Sequence, residues 1–249
     1  MPIVPSNNLD LGEQALSKAV EVGLSTQLDA VESLEVEIRT NPIAFMQGEL
    51  ESADIQAQGL VIKDDLRTDQ LTVQTDGVAI DPIKAALGEI EFTRPTNAAM
   101  AAKITEADVE RAFNSEYIHQ KLQAVEVDLG DRSVQVNAQQ VQVSLPGQGR
   151  VAIAADVLVV ELGEQQHVAF NALLAMGPKG YELVLNDIQM AAANTSDELT
   201  RGLLAIAANL LDLRHFTLSG MTLQLQHINV QPGHIDMQAQ AYLEKFPGG

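Results

Sequence analysis

Apolar and polar residues alternate with period two along most of the chain. Leu34, Val36 and Ile38 are separated by Glu35 and Glu37, Leu71 and Val73 by Thr72, and Ile90 and Phe92 by Glu91. The pattern returns at Val125, Val127 and Leu129, at Val134 and Val136, and at Val141, Val143 and Leu145. Successive strand residues point to opposite faces, so each run predicts a strand with one face on a core. Between Val136 and Val141 the apolar parity changes from even to odd. A β-bulge near Gln139–Gln140 would keep both runs facing inward. Further strands are expected over 151–160, 168–176, 181–190, 216–230 and 235–243. Turn chemistry separates them, at Pro146-Gly147-Gln148-Gly149, at Gly177-Pro178-Lys179-Gly180 and at Pro232-Gly233. One-sided alternation with short turns means antiparallel sheet.

Helical spacing interrupts this pattern three times. Leu11, Ala15, Ala19 and Val22 form a stripe near the N-terminus. Thr105-Glu106-Ala107-Asp108 reads as a capping box that opens a helix through Val109, Ala112 and Phe113, and a second piece follows with Tyr117, Ile118 and Leu122. Thr195-Ser196-Asp197-Glu198 opens a third helix over 199–211, with Gly202, Ala205 and Ala208 on one side. It is apolar on most of its circumference, which places it inside the curve of a sheet. The fold expected is therefore mainly β with helices (α+β), a long, strongly curved antiparallel sheet wrapped around an apolar helix. One domain over 10–245, with tails at 1–9 and 246–249, is the simplest division.

An internal repeat relates 41–50 (Asn-Pro-Ile-Ala-Phe-Met-Gln-Gly-Glu-Leu) to 81–90 (Asp-Pro-Ile-Lys-Ala-Ala-Leu-Gly-Glu-Ile). In each copy an Asn or Asp caps, Pro takes the first helical position and Gly closes a short helical segment. Two strands separate the copies, so in a meander both segments emerge at the same end of the sheet. Ile43, Met46, Ile83, Ala86 and Leu87 fall at helical spacing. They either plug that end or form the mouth of an apolar cavity.

Composition narrows the function. The chain has 249 residues, 46% hydrophobic and 20% charged, which is ordinary for a folded domain. It has no Cys, which excludes disulfides, thiolate nucleophiles and Cys-ligated metals. Its formal charge of −19 is repelled by phosphate backbones, and with no Trp and 4% aromatics it offers few stacking platforms. Nucleic acid is not an expected partner. Residues 1–6 show no basic segment followed by an apolar one, and no apolar run approaches the roughly 20 residues of a membrane span. A cytoplasmic location is the expectation.

Catalytic templates fail one by one. Glu116 and His119 have metal-site spacing but lack the second motif and further Glu that such sites need. His227 and His234 flank Pro232-Gly233 without a third ligand. Gly-x-Ser-x-Gly is absent, Gly147-Gln148-Gly149 sits in a turn, and Asp64-Asp65 lies in a charged loop. No active site, metal or cofactor is implied.

A series of phrases does carry a resemblance. It comprises the strand–Asn-Pro-Ile-x-x-Met-x-Gly–strand unit, Gly59-Leu60-Val61-Ile62, the strand over 71–80 and Ile104-Thr105-Glu106-Ala107-Asp108-Val109. A closing strand–hairpin–strand over 213–243 follows an apolar helix. Over roughly residues 10–243 the chain resembles cyanobacterial members of the LmeA-like phospholipid-binding family. The resemblance implies a tubular lipid-binding (TULIP-like) fold, in which a curved antiparallel sheet encloses an apolar tube. It also implies a non-enzymatic lipid-binding or lipid-transfer protein whose partner is a lipid with acyl chains, such as a phospholipid; the charge of −19 in turn predicts only weak, transient membrane contact.

The residues expected to meet lipid are Ile43, Phe45, Met46, Ile83 and Leu87 on the repeat, and Leu199, Leu203, Ile206 and Leu210 on the apolar helix. Small side chains at Ala98, Ala102, Ala155, Ala172 and Ala192 would leave room for a ligand or let a helix pack closely. The rival is an assembly scaffold whose tube is filled by its own side chains; an enzyme acting on lipids stands behind both.

Overall fold

The computed structural model describes residues 11–62, 65–86, 89–128, 132–190, 199–201, 203–204, 211–215 and 220–245. The architecture is mainly β with a few helices, and its antiparallel strands curl into a half-barrel. Strands β1 (Ser33–Arg39), β2 (Glu49–Ile62), β3 (Leu66–Ala79) and β4 (Thr96–Thr105) form a meander. It continues through the closing hairpin in the order β1-β2-β3-β4-β11-β10, with β10 (Met221–Gln231) and β11 (His234–Leu243). A second group of five runs in chain order: β5 (Val125–Asp128), β6 (Ser133–Gly147), β7 (Arg150–Val159), β8 (Glu164–Met176) and β9 (Leu183–Met190). The two groups are stitched along β10. Leu225 donates its N–H to Gly180 O (2.7 Å) and Gly149 to Val230 O (3.2 Å), while the Gly233 N–H reaches Leu145 O (2.9 Å).

The bulge expected near Gln139–Gln140 is present: the β6–β7 register shifts between Ala138 and Gln140. Val134, Val136 and Ala138 before it, and Val141, Val143 and Leu145 after it, are all buried. A subtler device acts on β2 and β3. The side chains facing the interior are Leu50, then Ala53, Ile55 and Ala57, then Leu60 and Ile62. On β3 they are Leu66 and Thr68, then Leu71, Val73 and Thr75, then Val78. Both strands change parity twice without a change of register. Each change falls beside a glycine with a left-handed backbone, Gly77 (φ +79°) and Gly59 (φ +60°). A left-handed residue breaks the two-residue alternation, and glycine adopts it without a Cβ penalty. The pair of strands thereby keeps one apolar face inward around a tight curl.

Helix α1 (Leu11–Ser25) covers the edge strand β1. The stripe expected on it is corrected here: Ala15 and Val22 are exposed, and the buried face carries Leu16, Ser17 and Val20, with Leu24 packed beside them. What sets the rotation is polar. The Ser17 hydroxyl accepts from Ile38 N–H (3.1 Å) and Glu13 accepts from Thr40 N–H (2.8 Å). These bonds bring α1 side chains to the amides of Ile38 in β1 and of Thr40 just after it, and shield an otherwise open sheet edge.

The capping box is present at α4 (Glu106–Phe113), with Thr105 and Asp108 exchanging bonds. The piece after it is α5 (Glu116–Lys121), capped by Ser115. Of the helix expected over 199–211, residues 199–201 and 203–204 are helical and most of the rest lies outside the described residues.

Candidate functional site

The described residues leave two apolar chambers inside the curl. A chamber of about 410 Å³ lies between the five-stranded group and the near end of the six-stranded one. Its walls are Val141 and Val143 of β6, Ile153 and Val157 of β7, Val168 and Phe170 of β8 and Leu185 of β9. Val109, Ala112 and Phe113 of α4 close one side, and Ile235 and Met237 of β11 another. A second chamber, of about 290 Å³, lies inside the curl of the six-stranded group under α1. Leu16, Val20 and Leu24 roof it, and Ile55, Val73, Met100 and Leu243 are among its walls. Ile62, Thr68 and Leu223 line both, so the chambers are neighbours that share a wall. β4 and β11 run the length of the pair, with Ile104, Ile235 and Met237 at the first chamber and Met100, Ala241 and Leu243 at the second.

Polar groups are few. Among the described lining residues the charged ones are Arg67 and Asp108, both at the first chamber. Asp108, 3% exposed, accepts from Arg67 Nη1 at 3.0 and 3.1 Å and from the Thr105 hydroxyl at 2.6 Å. Arg67 Nη2 donates to Glu32 at 2.7 Å. Glu32 lies across the bare face of Gly59, where a Cβ would come within 2.4 Å of its carboxyl carbon. The bond that Arg67 donates to Glu32, then those to Asp108, hold its guanidinium above the ordinary arginine range. Arg67 is thus committed to carboxylates. At the second chamber the Thr75 hydroxyl closes a local pair, donating to Ala53 O (3.2 Å) and accepting from Ala53 N–H (3.0 Å). Among the described residues the walls are almost wholly hydrocarbon, with Thr68 and Thr75 adding hydroxyls to the one charged pair.

The residues singled out from sequence divide between two places. Leu203 lines the first chamber, and Leu199 is buried in the cluster with Val127, Val157 and Ala172 beside it. Ile206 and Leu210 lie outside the described residues, as do Leu87 and Ala192. The repeat forms α2 (Pro42–Met46) and α3 (Pro82–Ala86), capped by Asn41 and Asp81. Both emerge at one end of the six-stranded group, since β2 and β3 pair Glu49 with Ala79 there. Ile43, Met46 and Ile83 are exposed by 71%, 81% and 74%. Phe45 instead packs on the cluster that includes Leu50, Val78 and Ile80, at the end of the second chamber.

The metal readings find no geometry. His227 lies opposite Gln238 and His234 opposite Gln231, so the two histidines do not face each other, and His119 meets Gln123. Among the described residues no three His, Cys, Asp or Glu gather as a metal site. No helix among them is long and apolar enough to cross a membrane.

Sequence reasoning missed the second chamber. Its signals were present in the parity changes beside Gly59 and Gly77 and in the second apolar stripe of α1, Leu16-Val20-Leu24.

A family model described as LmeA-like phospholipid-binding matches residues 8–240, nearly the whole chain, and the chain belongs to that family. Comparison with curated proteins and with solved structures gave no match.

Proposed function

We propose that this member of the LmeA-like phospholipid-binding family is a non-enzymatic lipid carrier that holds the acyl chains of a phospholipid in its two chambers. The observation that carries the reading is unfilled space with hydrocarbon walls, about 410 and 290 Å³, inside a chain from a phospholipid-binding family. Protein interiors close-pack, and a large apolar void forfeits dispersion contacts on every wall. Ligand sites are the regular exception, at roughly 300–1,000 Å³. Each acyl methylene moved from water into such a wall contributes roughly 0.8 kcal/mol, so long chains bind without a polar anchor. The commitment of Arg67 to Glu32 and Asp108 supports acyl-chain rather than headgroup recognition. The unfilled space also favours this reading over a scaffold filled by its own side chains.

Contact with the donor membrane is brief, because a chain of charge −19 is repelled by anionic lipid surfaces. The test is transfer. Delipidated protein, mixed with phosphatidylcholine vesicles carrying a fluorescent phospholipid and then separated from them, should retain the probe and deliver it to acceptor vesicles. Protein that leaves the separation without probe contradicts the proposal.

A further inference from the structure

The three most exposed large apolar side chains among the described residues are Met46, Ile83 and Ile43. The next, Val22, is 55% exposed, and it lies on α1. The three come from segments forty residues apart and occupy the two short helices of the repeat. Their meeting is a product of the meander. The Ile80 N–H donates to Gly48 O at 2.8 Å, and a Cβ on Gly48 would stand 3.2 Å from the Pro82 ring. Isolated exposed apolar residues are ordinary, but two adjacent turns each presenting them form a patch.

The two short helices themselves carry a single charge, Lys84. The segment Pro42–Met46 carries none. Glu49 pairs with Arg94 (3.3 Å), Glu91 with Lys84, and Glu51 accepts from Asn41 (2.7 Å). The Asp81 carboxylate accepts from the Ile83 and Lys84 amides (2.9 and 3.1 Å). Exposed Glu89 remains. Asp81, Glu49, Glu51, Glu89 and Glu91 outnumber Lys84 and Arg94 here, so this end suits a zwitterionic rather than an anionic bilayer. Directly inside it, Phe45 and Ala85 pack on the cluster that shares Leu50, Val78 and Ile80 with the second chamber.

We infer that α2 and α3 form a bilayer-contacting tip. It inserts Ile43, Met46 and Ile83 at the surface of a zwitterionic membrane, and an acyl chain enters the second chamber past Phe45. Unbranched Met and β-branched Ile are suited to shallow burial at the headgroup–acyl boundary. The inference rests on the carrier reading above and adds to it the partner surface and the port. It also fixes which residues a test can change: Phe45 belongs to the core and would damage the fold, whereas the three exposed side chains would not.

The chain has no cysteine, so single labels are clean. Met46→Cys and Ile83→Cys, each carrying a polarity-sensitive fluorophore, should shift to the blue on adding phosphatidylcholine vesicles. Leu162→Cys, an exposed apolar position between β7 and β8, should not. Adding phosphatidylserine to the vesicles should weaken the shift. The triple variant I43D/M46D/I83D should exchange phospholipid between phosphatidylcholine vesicles at least roughly tenfold more slowly, each carboxylate opposing entry into the interface. Its melting temperature and its lipid content after detergent-assisted loading should match the parent. No blue shift at either tip label, an equal shift at Leu162→Cys, or unchanged exchange by the triple variant would overturn the tip. Failure of the parent itself to load lipid from detergent would instead strike the carrier reading, and the fluorophore shifts would still decide the tip.

Discussion

Gly180, in the connection between β8 and β9, accepts the Leu225 N–H of β10 at 2.7 Å and lies so close that a Cβ would stand 2.5 Å from the Leu225 carbonyl oxygen. This contact locks the five-stranded group against the six-stranded one beside the first chamber. It sits where the β10–β11 register shifts, between Leu225 and His227, so β10 bends as it is gripped.

Gly180→Ala therefore has two costs, a side chain in a left-handed backbone (φ +71°) and a collision with main chain that cannot rotate away. Strain of this kind is worth about 1–3 kcal/mol. The urea midpoint should fall accordingly with the slope unchanged. An unaltered midpoint would mean the two groups are not held at this point.

Arg67→Met should cost more. It leaves Asp108, 3% exposed, with the Thr105 donors alone after losing a guanidinium. Breaking a buried pair on one side costs about 3–5 kcal/mol. The guanidinium is held above its ordinary range in the folded state, so its contribution is complete below the ordinary arginine pKa and is lost only as pH rises through the still higher folded value. The loss in the variant should accordingly be similar at pH 7 and pH 9. The folded fraction of this variant should still hold lipid, since Arg67 is committed to carboxylates. Lipid lost from a folded Arg67→Met protein would reassign it as a headgroup anchor.

Leu203→Trp and Ala172→Leu separate chamber from core. Leu203 borders the 410 Å³ space, whereas Ala172 is fully buried among close-packed neighbours. The indole should occupy the chamber, lowering bound phospholipid severalfold with little change in melting temperature. Overpacking at Ala172 should instead destabilise by about 1–3 kcal/mol. Thermal melts with parallel lipid extraction read both. If Leu203→Trp unfolds the chain as Ala172→Leu does, the space near Leu203 is ordinary core.

Thr105→Ala removes one half of the capping box that opens α4. The hydroxyl accepts from Asp108 N–H (3.2 Å) and donates to its carboxylate (2.6 Å). A cap of this type is worth about 1 kcal/mol, and here the buried Asp108 also loses a donor. Denaturant unfolding should show a loss of about 1–2 kcal/mol, and Thr105→Ser should recover most of it.

Much of the fold was legible because its rules are local. Alternation gave most strands, the parity change in β6 gave its bulge, and Asn-Pro and Asp-Pro gave α2 and α3 with their caps. β4 was not read as a strand because Ala98, Ala99, Ala101 and Ala102 have weak β preference; the neighbours β3 and β11 hold it extended. The face of α1 was misread because apolar spacing alone offers two stripes, and the bonds from Ile38 and Thr40 to Ser17 and Glu13 choose between them. The Arg67–Asp108 pair joins residues 41 apart, and the order β4-β11-β10 joins mid-chain residues 96–105 to the C-terminal hairpin. Pairings at such separation leave no periodic trace. Leu203 was named from sequence and borders the first chamber, but the second chamber required knowing that β2 and β3 curl together.

Native mass spectrometry of the purified chain decides whether it is a lipid carrier. A folded species with the added mass of one phospholipid is expected, removed by organic extraction and restored by incubation with phosphatidylcholine vesicles. A folded chain at its bare mass before and after that incubation would contradict the carrier reading.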